Sequence, residues 1–262
     1  MALRHRMQRP LQRCKTCLKG KVACDVFLEV ELMMIAFATG IMDAVTFPDY
    51  HVFASNQTGN TVLLAVGALD IGGGIVDLRH VGLSLGAFIA GGLICGQLGN
   101  LIGRMSRVWL LTTNVIQTAL VFAAAALHTH IDHVKDESIN MGIIALLAFA
   151  TGAQVALART VHIPEIPTAM VTSAYVDFIV DPGIFKMHNR SRNRRLLFVG
   201  SLLLGSFIGA TTYKFVSPAV ALYLSAASKA LVCIALLFNP EESRGINGTP
   251  THDRPAAASR GA

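Results

Sequence analysis

The chain has 262 residues, of which 53% are hydrophobic and 15% charged, and its mean hydropathy is +0.53. Soluble domains carry about 25% charged residues, and here the apolar residues fall in long blocks, which excludes a soluble globular class and points to a polytopic membrane protein. The formal charge of +6 sits in the tails and one loop with no basic face interleaved with aromatics, so nucleic acid is excluded as a partner and the charge reads as a marker of cytoplasmic segments.

Residues 1–26 read as a basic cytoplasmic tail without the apolar core of a signal peptide. Its Cys14 and Cys17 lack a second ligand pair at metal spacing, so no zinc is expected there; they read as free thiols, with palmitoylation beside the membrane as the sharper alternative. A transmembrane domain follows over residues 27–238. Its first span is predicted from Phe27 to Phe47, with Glu29 and Glu31 at the helix entrance and Pro48-Asp49 as its end. Thr58 to Val76 is a short apolar segment broken by glycines. Val81–Gly103 and Val108–Leu127 are full spans, and residues 128–138 are a polar loop in which His128, His130 and His133 read as surface residues. Ile139–Ala158 spans again. Thr168–Val180 is apolar but short, about 20 Å as a helix against a hydrocarbon core of about 30 Å. Residues 184–195 form a basic loop, Leu196–Val216 and Pro218–Phe238 complete the spans, and residues 239–262 read as a disordered tail.

The pentapeptide AFATG occurs at residue 36 and again at residue 148. A similar offset sets Gly92 and Gly96 on Gly205 and Gly209, and Thr58-Gly59 on Thr172-Ser173. Two repeat halves are therefore expected, 27–127 and 139–238, each with three full spans and one short segment after the first. If the short segments are re-entrant there are six spans and the halves are inverted; if both cross there are eight and the halves are parallel. The 13-residue length of the second short segment favours six, with both termini cytoplasmic.

Polar residues inside these apolar blocks are the candidates for function. Asp43 lies within the first run, as an intramembrane acid or as an interfacial residue near a helix end. Asn56, Gln57, Thr58, Gly59 and Asn60 precede the first short segment. They could cap a half-helix whose N-terminus faces a bound solute, or a plain surface helix. Thr168, Thr172, Tyr175 and Asp177 occupy the matching place in the second half, and Gln154 lies inside a span, as interhelical glue or as a ligand. No hydrolase or phosphate-binding signature is present, so no enzyme, cofactor or metal site is expected.

Phe37 to Asp43, Phe53 and Thr58-Gly59-Asn60-Thr61-Val62 resemble the first-half signature of the YoaK-like family of uncharacterised multi-span membrane proteins. Gly152-Ala153-Gln154, Arg159, Glu165-Ile166-Pro167-Thr168, Tyr175, Asp177 and Asp181-Pro182 resemble the fungal form of its second half. The resemblance implies membrane spans and brings no activity with it.

The expected protein is an all-α transmembrane helix bundle, integral to a cellular membrane, that moves a small solute or ion. Its site is expected where the two short segments meet, lined by Asp43, Asn56, Thr58, Asn60, Thr172 and Asp177. A non-transporting scaffold or sensor is the alternative. The lipid bilayer is the expected partner, and the sequence leaves a homo-oligomer open.

Overall fold

The structure, a computed structural model, describes residues 23–71, 73–131 and 136–239. Most of the expected tails, including Cys14 and Cys17, lie outside these residues, as does His133. The described residues form eight helices: α1 (Val26–Tyr50), α2 (Gln57–Ala68), α3 (Leu78–Ile102), α4 (Arg107–Ile131), α5 (Glu137–Thr160), α6 (Val171–Ile179), α7 (Arg190–Phe215) and α8 (Pro218–Phe238). No strand occurs among them. Six helices, all but α2 and α6, are long and apolar enough to cross a membrane. The protein is an all-helical polytopic bundle.

Side-chain contacts at the helix ends fix how the six run. At one face, here called the near face, Glu29 at the start of α1 pairs with Arg190 at 2.5 Å and Arg194 at 2.7 Å at the start of α7. There too Asn239, just after α8, donates to Glu31 and accepts from Arg107 at the start of α4. At the far face, Asp49 near the end of α1 accepts from Tyr213 of α7 at 2.6 Å and meets His128 of α4 at 2.9 Å. There His80 of α3 meets Glu137 of α5 at 2.6 Å. Hence α1, α4 and α7 run from near to far, and α3, α5 and α8 return.

α1 and α5 are the most buried spans, and α3 and α7 the least. The peripheral helices dock through glycine. A Cβ on Gly205 of α7 would strike the carbonyl of Phe37 in α1, and one on Gly91 of α3 would strike the carbonyl of Phe149 in α5. The approach is reciprocal, because Gly40 abuts the Leu202 carbonyl and Gly152 the Phe88 carbonyl. Small residues let helix backbones touch, and that contact replaces the hydrophobic drive that lipid removes. The expected equivalence of Gly92 with Gly205 is thus off by one: Gly91 occupies the corresponding contact. α4 and α8 pack on each other and on α5 and α1 respectively, closing the centre.

Both short helices begin inside the bundle. The backbone N–H and hydroxyl of Ser55 donate to Asp43, seven residues and about 10 Å before the end of α1. The chain therefore dips inward after Tyr50. α2 then climbs back, and its Gly67 packs on Val76 and Leu78 at the start of α3. On the near side Thr168 meets Gln154, six residues and about 9 Å before the end of α5. α6 returns from there to the near face, where Asp181 reaches Arg195 at 3.2 Å. The short segments are re-entrant and pack on α3 and α7.

Several expected boundaries move. α1 does not stop at Pro48. It runs on to Tyr50 and ends at His51, whose φ of 55° reverses the chain. Pro48 falls in the last turn, where only one backbone bond is lost, and the pairs made by Asp49 hold that turn. The basic run joins α7 rather than a loop, because Asn189 caps the helix and Glu29, Glu165 and Asp181 neutralise its arginines. His128 is not a surface residue: it lies in α4 and is buried against Asp49.

Candidate functional site

α8 is a 21-residue apolar helix with one charge, Lys229, 11 residues and about 16 Å from its start. That places the amine near the middle of the span, and it is 1% exposed. Its Nζ donates to Oε1 of Gln154 at 2.6 Å and lies 3.3 Å from Oε1 of Gln117. Among the described residues no carboxylate lies within ion-pair distance of it. A buried ammonium without a counter-charge is costly, and in a membrane span such a residue marks a site more often than a packing need.

The cluster extends through Gln154. Its Nε2 donates to Oγ1 of Thr39 at 2.8 Å and of Thr168 at 3.2 Å. Thr39 in turn donates to the Ile35 carbonyl. Thr168 is fully buried with a φ of 62°, a left-handed conformation that a β-branched residue adopts only under strain. The Gln154 bond and the re-entrant loop hold it there. Gln117, also buried, has no partner for its amide nitrogen. Four elements thus converge on the amine: α1, α4, α5 and the loop before α6.

A narrow, mostly apolar cavity runs from this cluster toward the near face. Asn114, Gln154 and Thr168 line its inner part and Glu31 its outer part. It has about 20 Å³ of space for water centres, room for a water or a small ion but not for an organic solute. Glu31 is 2% exposed, takes one bond from Asn239 at 2.9 Å, and keeps its second oxygen without a partner.

The polar stretch before α2 is a different object. Asn56 caps the helix by accepting from the Gly59 N–H at 3.2 Å. Asn60 is fully buried; it accepts from the Phe53 N–H and donates to the Phe53 carbonyl, to Gln57 and to Ser84 of α3. Ser84 also donates to Phe53, and Gln57 to Ala54. Both ends of the Asn60 amide are engaged within the protein, so it acts as a staple between the loop before α2 and α3. Asp43 is likewise occupied by Ser55. Asn56 and Thr58 are exposed, as are Thr172, Tyr175 and Asp177 on α6. Asp177 lies 3.8 Å from Arg195 at the near face. Of the residues expected to form one site, only Gln154 and Thr168 enter the central cluster.

Lys229, Gln117 and Thr39 complete that cluster. The signal for Lys229 was a single ammonium in an otherwise apolar span. Thr39 belongs to the first AFATG, but its inward direction cannot be read without the helix partners.

At the far face, Asp77, His80 and Glu137 bring three donor atoms within 4.8 Å of one another. Arg79 already bridges the two carboxylates, at 2.7 Å from Asp77 and 3.6 Å from Glu137. Its guanidinium holds the Asp77 carboxyl down to about 2. A metal would have to displace that cation.

A family model described as a protein of unknown function, DUF1275, matches residues 32–235. The match covers α2 to α7 entirely and most of α1 and α8. No curated protein and no solved structure matches the chain.

Proposed function

The chain belongs to the DUF1275 family of proteins of unknown function, and from that premise we propose that it moves a small solute or ion across the bilayer through the centre of the bundle. The observation that carries this reading is Lys229: a buried amine at mid-span, faced by amides rather than acids, whose partner Gln154 lines a cavity that runs toward the near face. Strain stored at Thr168 beside it is of the kind found where a segment is held for a task.

The architecture supports the same reading. α1 runs opposite to α5, α3 to α7 and α4 to α8, and the glycine contacts of α1 with α7 match those of α5 with α3. Gln117 and Lys229 are 112 positions apart and meet at the centre; the two AFATG segments have the same spacing. We read two inverted repeats with the site on the axis between them, as in transporters whose half-helices dip to mid-membrane. The positive residues at the start of α7 support a reading with the near face, and with it both termini, in the cytoplasm. Within the family, Glu165 to Thr168 and Asp181-Pro182 support a reading as the YoaK-like, fungal form. The reading assigns no catalysis.

The test is flux. Purified protein in liposomes should pass some solute from a panel of ions and small neutral molecules, and Lys229→Met should change which solute passes. A scaffold is the second reading, favoured by the satisfied network of Asn60. If the scaffold is right, no variant and no wild-type preparation shows flux, while Asn60→Ala still lowers the thermal midpoint.

A further inference from the structure

We infer that the central site binds a small inorganic anion, held by the Lys229 ammonium and the Gln117 amide. The inference rests on the transport reading for its route but on separate observations for its chemistry.

The first is a surplus of donors. Lys229 has three N–H groups, and two find amide oxygens. The Gln117 amide nitrogen beside it is buried with no partner. Gln117 cannot resolve this by turning its amide over, because that would aim its NH2 at the Lys229 ammonium. Gln154 has spent both of its amide groups, on Lys229, Thr39 and Thr168. Unused N–H groups of Lys229 and Gln117 therefore share one place with no acceptor. Buried polar groups are almost always satisfied, so an orphan amide next to an unpaired ammonium points to a missing acceptor with negative charge.

The second is exclusion of the other classes. A cation would meet Lys229 head-on, with the nearby amide oxygens already committed to the amine. The acid in the cavity does not reverse this. Glu31 lies eight residues along α1 from Thr39, about 12 Å away, and Asn239 ties it to the Arg107 guanidinium. The cavity that runs toward the cluster, lined by Gln154 and Thr168, has room for something of the size of water, so a carboxylic acid or a sugar would not pass along it.

The experiment uses the full chain with chloride and nitrate as probes. The thermal midpoint in detergent is compared in sodium chloride, sodium nitrate and sodium gluconate at equal ionic strength, gluconate being too large for the site. Liposomes then report chloride and potassium flux separately. Lys229→Met and Gln117→Leu are the variants. Both remove a buried polar group without adding volume, and the midpoint of each variant in gluconate checks that it folds. The inference expects a higher midpoint in chloride or nitrate than in gluconate. It also expects anion flux in the wild type and a loss of both responses in Lys229→Met, with flux falling at least about tenfold, the worth of one lost charged hydrogen bond. Potassium or neutral-solute flux with no anion response overturns the anion and keeps transport. Anion flux unchanged in folded Lys229→Met overturns the site. A midpoint response that depends on Lys229 with no flux of any solute overturns transport and keeps the anion site. No flux and no midpoint response overturns both.

Discussion

Gly205 and Gly152 sit where a neighbouring carbonyl fills the space a Cβ would need, while Gly86 and Gly200, on the peripheral helices α3 and α7, have nothing within 4 Å of that position. Substitution at these four positions should therefore split cleanly. Gly205→Ala and Gly152→Ala push one backbone off another, and backbone cannot yield as a side-chain tip can. Each should cost about 1–3 kcal/mol of overpacking. Gly86→Ala and Gly200→Ala meet open space and should be neutral or mildly stabilising, since alanine favours a helix over glycine by up to about 1 kcal/mol. Thermal midpoints of the four variants in one detergent check this, and equal losses at all four would show that the helices do not touch through glycine. The same distinction between contact and exposure decides the polar residues. Asn60 and Lys229 are both buried polar groups in apolar surroundings. Asn60 has a partner for every bond it can usefully make, and Lys229 does not. Only the second is poised to take something up.

At the scale of elements, the turn between α6 and α7 is held by one carboxylate. Asp181 accepts from the Gly183 N–H at 2.7 Å, from Asn189 at 3.1 Å and from Arg195 at 3.2 Å. The Gly183 N–H, with help from Asn189 and Arg195, holds the Asp181 carboxyl below its ordinary value. A carboxylate whose folded value is depressed contributes stability above its unfolded value, about 3.9. That contribution disappears as pH falls through the lower folded value. The α6–α7 junction should thus be fully held at neutral pH and loosen first in acid. Hydrogen exchange at Gly183 should report this: its protection, corrected for intrinsic rate, should fall as pH drops below about 4. In Asp181→Asn it should be low at neutral pH and flat across the same range. Protection in Asp181→Asn equal to the wild type at pH 7 would show that the carboxylate does not hold the turn. Much at this scale was legible in advance. Composition and block length reveal the six spans, and the 13-residue limit of the second short segment marks it as re-entrant. Helix ends were less legible, because Pro48 and the arginines of α7 are tolerated only through partners far along the chain, Tyr213, His128 and Glu29. Which way a residue faces was least legible. Thr172, Tyr175 and Asp177 carry the right chemistry on the wrong side of α6.

For the whole molecule, the polar groups sort by depth. Ion pairs close the bundle at both faces, amide and hydroxyl staples lie about 10 Å in from each, and the lone ammonium sits at the centre. This order depends on six crossings. If α2 and α6 crossed the membrane, the start of α4 would lie on the face opposite the end of α8, about 30 Å from the Asn239 that Arg107 bonds. Side-specific labelling can therefore decide the arrangement. In a background without native cysteines, Ser106→Cys between α3 and α4 should react only with reagent on the side of the N-terminus. Ser217→Cys between α7 and α8 should react only from the opposite side. With eight crossings Ser106→Cys would instead react from the side opposite the N-terminus. The charge swap Glu29→Arg with Arg194→Glu supplies the energetic counterpart. Each single change leaves charges of one sign facing each other at the near face and should lower the thermal midpoint, and the double change should recover part of the loss. That recovery requires α1 and α7 to begin on the same face. A double variant no better than the sum of its singles would break the near-face closure on which the inverted arrangement stands.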